Sequence, residues 1–192
     1  RSTLFPYTTL FRSLRYQFID EILLASRLDA QEADLGSIES VDLLGLMAEE
    51  CARTGADFAP ASGLHEAAVP GVAKLLRRAV RNLLENAARY GGEQPASATL
   101  ALEAAPAGKP GQPPGKGLAV IRVSDHGPGV PPELRERIFE PFYRLPGASE
   151  REGGVGLGLA LVRSIAQRHG GSVRCLASEE GGACFELRLP LA

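Results

Sequence analysis

The chain has few cysteines, almost no excess charge and no long apolar run, and each shortage removes a class of protein. Three cysteines in 192 residues, Cys51, Cys175 and Cys184, are odd in number and widely spaced. They make neither a disulfide framework nor a zinc-ligand pattern, so a reducing compartment is the default and a buried, small apolar role is expected for each. A formal net charge of -2 gives no overall pull toward nucleic acid or anionic lipid. No apolar run is long enough to span a bilayer, no stretch reads as a secretory signal, and no internal repeat is found. What is present is a 44% hydrophobic composition, ordinary for one or two small globular domains.

Residues 1–13 stand apart. Their run TLFPYTTLFRS resembles the translation of a short-read sequencing adapter, and the segment is expected to be non-native. Residues 14–33 then carry apolar side chains at helical spacing, with Leu14, Phe18, Ile22 and Leu28 on one stripe. A second helix is expected over 41–53, with Ser40 and Asp42 near its start. Residues 54–70 are mixed and should hold one or two short strands. The clearest helix covers 72–90, where Leu76, Val80, Leu83, Leu84 and Ala87 form a core stripe and Gly91-Gly92 ends it.

Alternation predicts a strand at 98–104, and the run LAVIRVS reads as a strong strand at 118–124, the two joined by an exposed Pro/Gly-rich loop over 106–117. Two prolines open a short helix over 131–139. Residues 145–154 are polar and Gly-bearing and should be mobile. A helix over 157–168 is stopped by Gly170-Gly171. Strands at 172–177 and 183–189 flank EEGG and read as a closing hairpin. The expected fold is an α+β two-layer sandwich, a mostly antiparallel mixed sheet with helices on one face, preceded by one N-terminal helical segment.

Four blocks within this frame carry chemistry. In RNLLENAARY (81–90), Asn82 and Asn86 lie one helical turn apart, and Arg89 and Tyr90 follow on the same quadrant. An Asn carbonyl suits a hard cation such as Mg²⁺, and a neighbouring guanidinium can pair with phosphate. Two Asn in a helix interior also carry a propensity cost, which favours ligand contact over local capping. Glu85 lies four residues from Arg81 and from Arg89, so an exposed ion-pair ladder accounts for it.

In DHGPGV (125–130), Asp125 ends a buried strand where a carboxylate can accept from the exocyclic amine of adenine. Gly127 and Gly129 allow a tight turn beside a flat base. In FEPFYR (139–144), Phe139, Phe142 and Tyr143 fit either ordinary core or the hinge of a lid. In GGVGLGL (153–159), Gly154, Gly156 and Gly158 alternate into a helix start, whose backbone N–H groups bind phosphate well. It is neither a Walker A loop nor a dinucleotide fingerprint.

In this order, the four blocks resemble the N, G1, F and G2 boxes of bacterial sensor histidine kinases, whose ATP-binding domain belongs to the gyrase–Hsp90–histidine kinase–MutL superfamily. The resemblance covers 41–191 and implies the Bergerat α/β sandwich, with ATP and Mg²⁺ as cofactors. It implies that Asn86 holds Mg²⁺ with Asn82 beside it, and that Arg89 and Tyr90 border the nucleotide. By the same likeness Asp125 reads the adenine amine, and Gly127 and Gly129 shape the base pocket. Gly154, Gly156, Leu157 and Gly158 lie along the phosphates, and Phe142 anchors the lid.

Residues 14–36 resemble the end of the second helix of the family's dimerisation and phosphotransfer domain. The helix that would carry the phosphoaccepting His is not found, and His65, His126 and His169 do not stand in such a context; His169 resembles the family's His-Gly-Gly turn. The resemblance implies γ-phosphoryl transfer to a His on a dimerisation domain, then to a response regulator receiver domain. It implies no nucleic-acid partner, a cytoplasmic position for this domain, and a membrane-anchored homodimer in the bacterial inner membrane for the full protein. The fragment alone is expected not to autophosphorylate. Two alternatives stay open: a nucleotide-binding interaction module without transfer, and an anti-sigma-type serine kinase or gyrase-type ATPase.

Overall fold

The computed structural model describes residues 22–24, 26, 35–104, 117–146, 155–178 and 181–191. Ile22–Leu24 and Ser26 are helical, and the rest of the expected helix over 14–33 lies outside the described residues. So do most of the loop at 106–117 and the greater part of 145–154.

Strand β1 (Glu39–Asp42) pairs antiparallel with β3 (Ala68–Gly71) in a two-stranded sheet. The main sheet has the order β2-β4-β5-β7-β6, from β2 (Asp57–Pro60), β4 (Ser97–Glu103), β5 (Leu118–Ser124), β6 (Ser172–Ala177) and β7 (Ala183–Pro190). Only β2 against β4 is parallel; the other pairings are antiparallel. Helices α1 (Leu43–Thr54), α2 (Ala73–Tyr90) and α3 (Gly158–Arg168) form the second layer. Helix α2 packs on α1, α3 and β5, and α3 packs on β6 and β7. The expected sandwich, with its helices on one face, is the observed one.

Each helix starts and stops for a local reason. Asp42 caps α1, its Oδ1 accepting from the Leu44 N–H at 3.0 Å and its Oδ2 from the Gly45 N–H at 3.2 Å. Gly55 ends the helix in the left-handed region at φ 75°. In α2 the buried positions Leu75, Leu76, Ala79, Val80, Leu83, Leu84 and Ala87 follow the 3.6-residue period and face the sheet. Opposite them, alternation along β5 and β7 turns Ala119, Ile121, Val123, Phe185, Leu187 and Leu189 into the core. All three cysteines are buried and free, as expected. The segment 131–139 departs from expectation. It is two 3-10 turns, Pro132–Leu134 and Arg137–Phe139, rather than one continuous helix.

Two buried glutamates organise the charges. Glu50 occupies a core-stripe position of α1 and is 2% exposed. It takes bidentate hydrogen bonds from Arg81 at 3.0 Å, with Arg77 at 3.1 Å and Arg53 at 2.8 Å. The expected ladder of Arg81, Glu85 and Arg89 is therefore not the main pairing, and Glu85 instead lies 3.9 Å from Arg53. On the sheet face away from the helices, Glu186 is 1% exposed and is held by Arg122, Arg174 and Arg188.

His169 ties two helices together. Its Nε2 accepts from the Val72 N–H at 3.0 Å, at the start of α2, while Nδ1 lies 2.7 Å from the Ile165 carbonyl of α3. Both bonds are satisfied only by the neutral ring with its proton on Nδ1. Burial pushes the His169 pKa below its ordinary 6.5, with nearby Arg168 adding to the effect. A base whose folded value is lowered contributes its stability above 6.5 and loses it as the pH falls from there toward the folded value. Denaturant unfolding of wild type and His169→Gln should therefore differ most at pH 7.5, and the gap should narrow as the pH falls below 6.5. A gap independent of pH would rule the clamp out.

Candidate nucleotide-binding site

Three contacts bring the four sequence blocks to one place. First, the buried Asn82 donates from Nδ2 to the Gly158 carbonyl at 3.1 Å, joining the Asn-bearing helix to the first turn of α3. Second, the turn after β5 lies against the end of α2. A Cβ on Gly127 would fall 2.0 Å from the Tyr90 carbonyl oxygen, so no side chain fits there. Third, Phe142 N–H donates to the Gly156 carbonyl at 2.9 Å, joining the aromatic block to the Gly-rich turn. The glycines at 127 and 129 thus serve mainly close approach. Gly129, at φ 73°, has its neighbour in Gly182, whose carbonyl oxygen would lie 2.9 Å from an added Cβ.

Along α2 the four candidate residues grade outward. Asn82 is buried, Asn86 and Tyr90 are half-buried, and Arg89 is exposed in the last turn. Asn82 has its amide committed to α3, whereas no side-chain hydrogen bond joins Asn86 to any described residue. A half-buried carboxamide without such a partner is a donor set that fits a hard cation also held by water and phosphate.

Asp125 is 3% exposed. Its Oδ1 accepts from the Gly127 N–H at 3.0 Å and from the Ala183 N–H at 3.1 Å. Gly156 turns the chain at φ 76°, and a Cβ there would fall 2.8 Å from the Phe142 carbonyl carbon. Leu157 follows as the N-cap of α3 with no side-chain cap, so the first-turn N–H groups are left for an anion. Gly154 lies outside the described residues.

The aromatic block divides its labour. Phe139 is core, 2% exposed, edge-on to Phe185 with ring centroids 6.3 Å apart, and under the Arg163 guanidinium at 4.6 Å. Phe142 is the opposite, 60% exposed and at φ 63°. A bulky residue in the left-handed region costs roughly 1–2 kcal/mol. Phe142→Asn should accordingly raise stability by about 1 kcal/mol in urea unfolding. A clear loss of stability would show that the ring packs on the domain after all.

Sequence reasoning did not find Glu50, Gly91, Gly182 or Ala183. Gly91 approaches Asp125 so closely that an added Cβ would lie 3.0 Å from the Asp125 Cβ. The only signal for Gly182 and Ala183 was strand pairing: with β5 beside β7, Ser124 stands opposite Cys184. No helix among the described residues is long and apolar enough to cross a membrane.

A helix-on-sheet sandwich whose amide-bearing helix, acidic turn and Gly-rich helix start meet in one place has the parts of a nucleotide-binding site. Comparison with known proteins narrows this. Residues 71–192 match the family described as histidine kinase-, DNA gyrase B- and HSP90-like ATPase. The sensor protein RstB of Escherichia coli K12 is 44% identical over 119 residues, 62% of this chain and 24% of RstB. The sensor protein CutS of Streptomyces coelicolor is 34% identical over 180 residues, 90% of this chain and 40% of CutS. Among solved structures, the ATP-binding domain of PrrB from Mycobacterium tuberculosis superposes with a TM-score of 0.61 at 27% identity, covering 81% of this chain and 98% of that one. Full-length ShkA in complex with AMPPNP superposes with a TM-score of 0.72 at 26% identity, covering 100% of this chain and 40% of that one. The chain belongs to this ATPase family. It spans less than half the length of these two curated relatives.

Proposed function

We propose that this domain holds ATP with Mg²⁺ and presents the γ-phosphoryl group to a histidine on a dimerisation domain, for onward transfer to an aspartate of a response regulator receiver domain. The observation that carries the reading is the set of contacts Asn82–Gly158, Gly127–Tyr90 and Phe142–Gly156, which draws four separate blocks to one place. Within it, Asp125 accepts from the adenine amine, and Arg89 and Tyr90 border the nucleotide. The N–H groups at Gly156, Leu157 and Gly158 take the phosphates. Gly154 would extend that row. Asn86 is the residue that would hold Mg²⁺, and the ion when bound supplies charge neutralisation along the polyphosphate. The chain's own contribution is position: in-line transfer demands a fixed phosphoryl group more than covalent help from the protein.

The phosphoaccepting histidine belongs to the partner domain in this reading, since His169 is committed to the Val72–Ile165 clamp. Residues 14–36 would carry the end of a dimerisation helix, with the ATP-binding unit over 41–192 and residues 1–13 non-native. The full protein would be a homodimer anchored in the bacterial inner membrane, with this domain on the cytoplasmic side. Incubation with γ-labelled ATP, Mg²⁺ and a supplied histidine-bearing dimerisation domain tests the proposal. Acid-labile label on the supplied domain is expected, and none on the chain alone. ATP binding without transfer to a cognate domain would instead favour a nucleotide-binding interaction module.

A further inference from the structure

The tip of the β6–β7 hairpin touches the base-reading carboxylate, and no sequence motif assigns it a part in recognition. The β7 residue Ala183 donates its N–H to Asp125 Oδ1 at 3.1 Å, and its carbonyl accepts from the Asp125 N–H at 2.9 Å. Gly127 adds a second donor to the same Oδ1 at 3.0 Å. Charge-assisted bonds of this kind fix both the position and the plane of a carboxylate. Oδ2 has no hydrogen-bond partner among the described residues. Gly182 closes the back of this arrangement. A Cβ there would fall 2.1 Å from the Asp125 carbonyl oxygen and 2.6 Å from Oδ1, so any side chain must push the aspartate away.

We propose that Gly182 and Ala183 are positioning residues for base recognition: they commit Oδ1 of Asp125 to the hairpin and so leave Oδ2 alone, in a fixed plane, to read the base. The inference rests on the assignment of Asp125 to the adenine amine. A fixed acceptor favours a base that offers an amine donor and opposes one that offers a carbonyl, because two acceptors repel. An aspartate free to rotate would lose that discrimination. The hairpin therefore sets preference for adenine over guanine without touching the base itself. Coupling runs both ways, so a bound adenine nucleotide should slow exchange of the Ala183 amide.

The neighbouring glycine supplies a matched control. Gly181 and Gly182 have nearly the same backbone, at φ 89° and φ 84°, but a Cβ on Gly181 meets nothing within 4 Å. Gly181→Ala and Gly182→Ala thus share the backbone penalty, and only the second strikes Asp125. Binding of MgATP and MgGTP to the chain and both variants is measured by calorimetry, with thermal melts to check folding. Gly182→Ala should weaken MgATP about tenfold or more, the scale of one lost charge-assisted hydrogen bond, and should lower the MgATP:MgGTP affinity ratio. Gly181→Ala should keep the wild-type ratio. Equal ratios in the two folded variants would overturn the proposal.

A second measurement needs no nucleotide and covers the case in which Gly182→Ala does not fold. Amide exchange at Ala183 should speed up at least tenfold in Asp125→Asn, where the acceptor loses its charge; unchanged exchange would also overturn the proposal. If the wild-type chain binds no MgATP while that exchange is still accelerated, the nucleotide assignment has failed and the latch stands. If wild type binds MgATP and the two glycine variants behave alike, the assignment stands and the hairpin's role has failed.

Discussion

Asn86→Ala is expected to abolish Mg²⁺-dependent phosphoryl transfer, with a loss on the order of 100-fold or more, while the domain stays folded. The separation of the two effects follows from the position. Asn86 is half-buried and its side chain bonds to no described residue, so truncation breaks nothing internal. Asn82 makes the contrast. It lies one turn earlier, is 7% exposed, and holds the Gly158 carbonyl at 3.1 Å. Asn82→Ala should therefore lower both stability and transfer, because an acceptor at the start of α3 loses its donor and the phosphate turn loses its tie to α2. Transfer assays with titrated Mg²⁺ and parallel urea melts separate the cases. A folded Asn86→Ala with wild-type transfer would remove the metal assignment. An Asn82→Ala with wild-type stability would remove the tie.

The sequence was most readable where one physical rule dominated. Helix α2 announced itself through its stripe of Leu76, Val80, Leu83, Leu84 and Ala87, and all five are buried. The run LAVIRVS placed β5 at its observed limits, Leu118–Ser124. The blocks around Asn82, Asp125, Phe142 and Gly156 were each visible, because amides in a helix interior and Gly-rich turns are locally costly and so stand out. Their mutual contacts were not visible. Nothing near Gly182 in the chain points at Asp125, 57 positions earlier; only the β5–β7 register brings them together. The aromatic block was ambiguous for a related reason. Phe139 and Phe142 are the same residue type three apart, and the choice between core and surface came from Phe185 and Arg163, which lie far along the chain. Glu50 was hidden by the opposite problem. Its position in the helical stripe called for an apolar side chain, and a carboxylate there makes sense only once Arg77 and Arg81 of α2 are known to face it.

That carboxylate sets the second large effect. Hydrogen bonds from Arg81 above all, with Arg77 and Arg53 adding, outweigh burial and hold the Glu50 pKa at about 2, against an ordinary 4.5. A carboxyl whose folded value is lowered contributes its full stability above 4.5 and loses it as the pH falls from 4.5 toward 2. At about 1.4 kcal/mol per unit, the contribution is about 3 kcal/mol. Glu50→Ala should cost a similar amount at pH 7, near the lower end of the roughly 3–5 kcal/mol seen when one partner of a buried pair is removed. The lower end applies because Arg77 and Arg81 are partly exposed, 39% and 30%, and can return to water. Glu49 is the control. It sits as close to Arg77, at 2.6 Å, but is 64% exposed, and Glu49→Ala should cost less than about 1 kcal/mol. Acid unfolding gives the sharper test. Glu50→Gln should flatten the stability curve between pH 4.5 and 2 without removing the slope entirely. Burial pushes Glu186 up, but Arg188, Arg122 and Arg174 hold it below its ordinary range, so it titrates in the same direction. Equal acid profiles for wild type and Glu50→Gln would mean that the α1–α2 contact rests on apolar packing alone. Loss of nucleotide affinity in Glu50→Gln at neutral pH would extend the effect to the site, since Arg81 stands next to Asn82 and its guanidinium would no longer be fixed against α1.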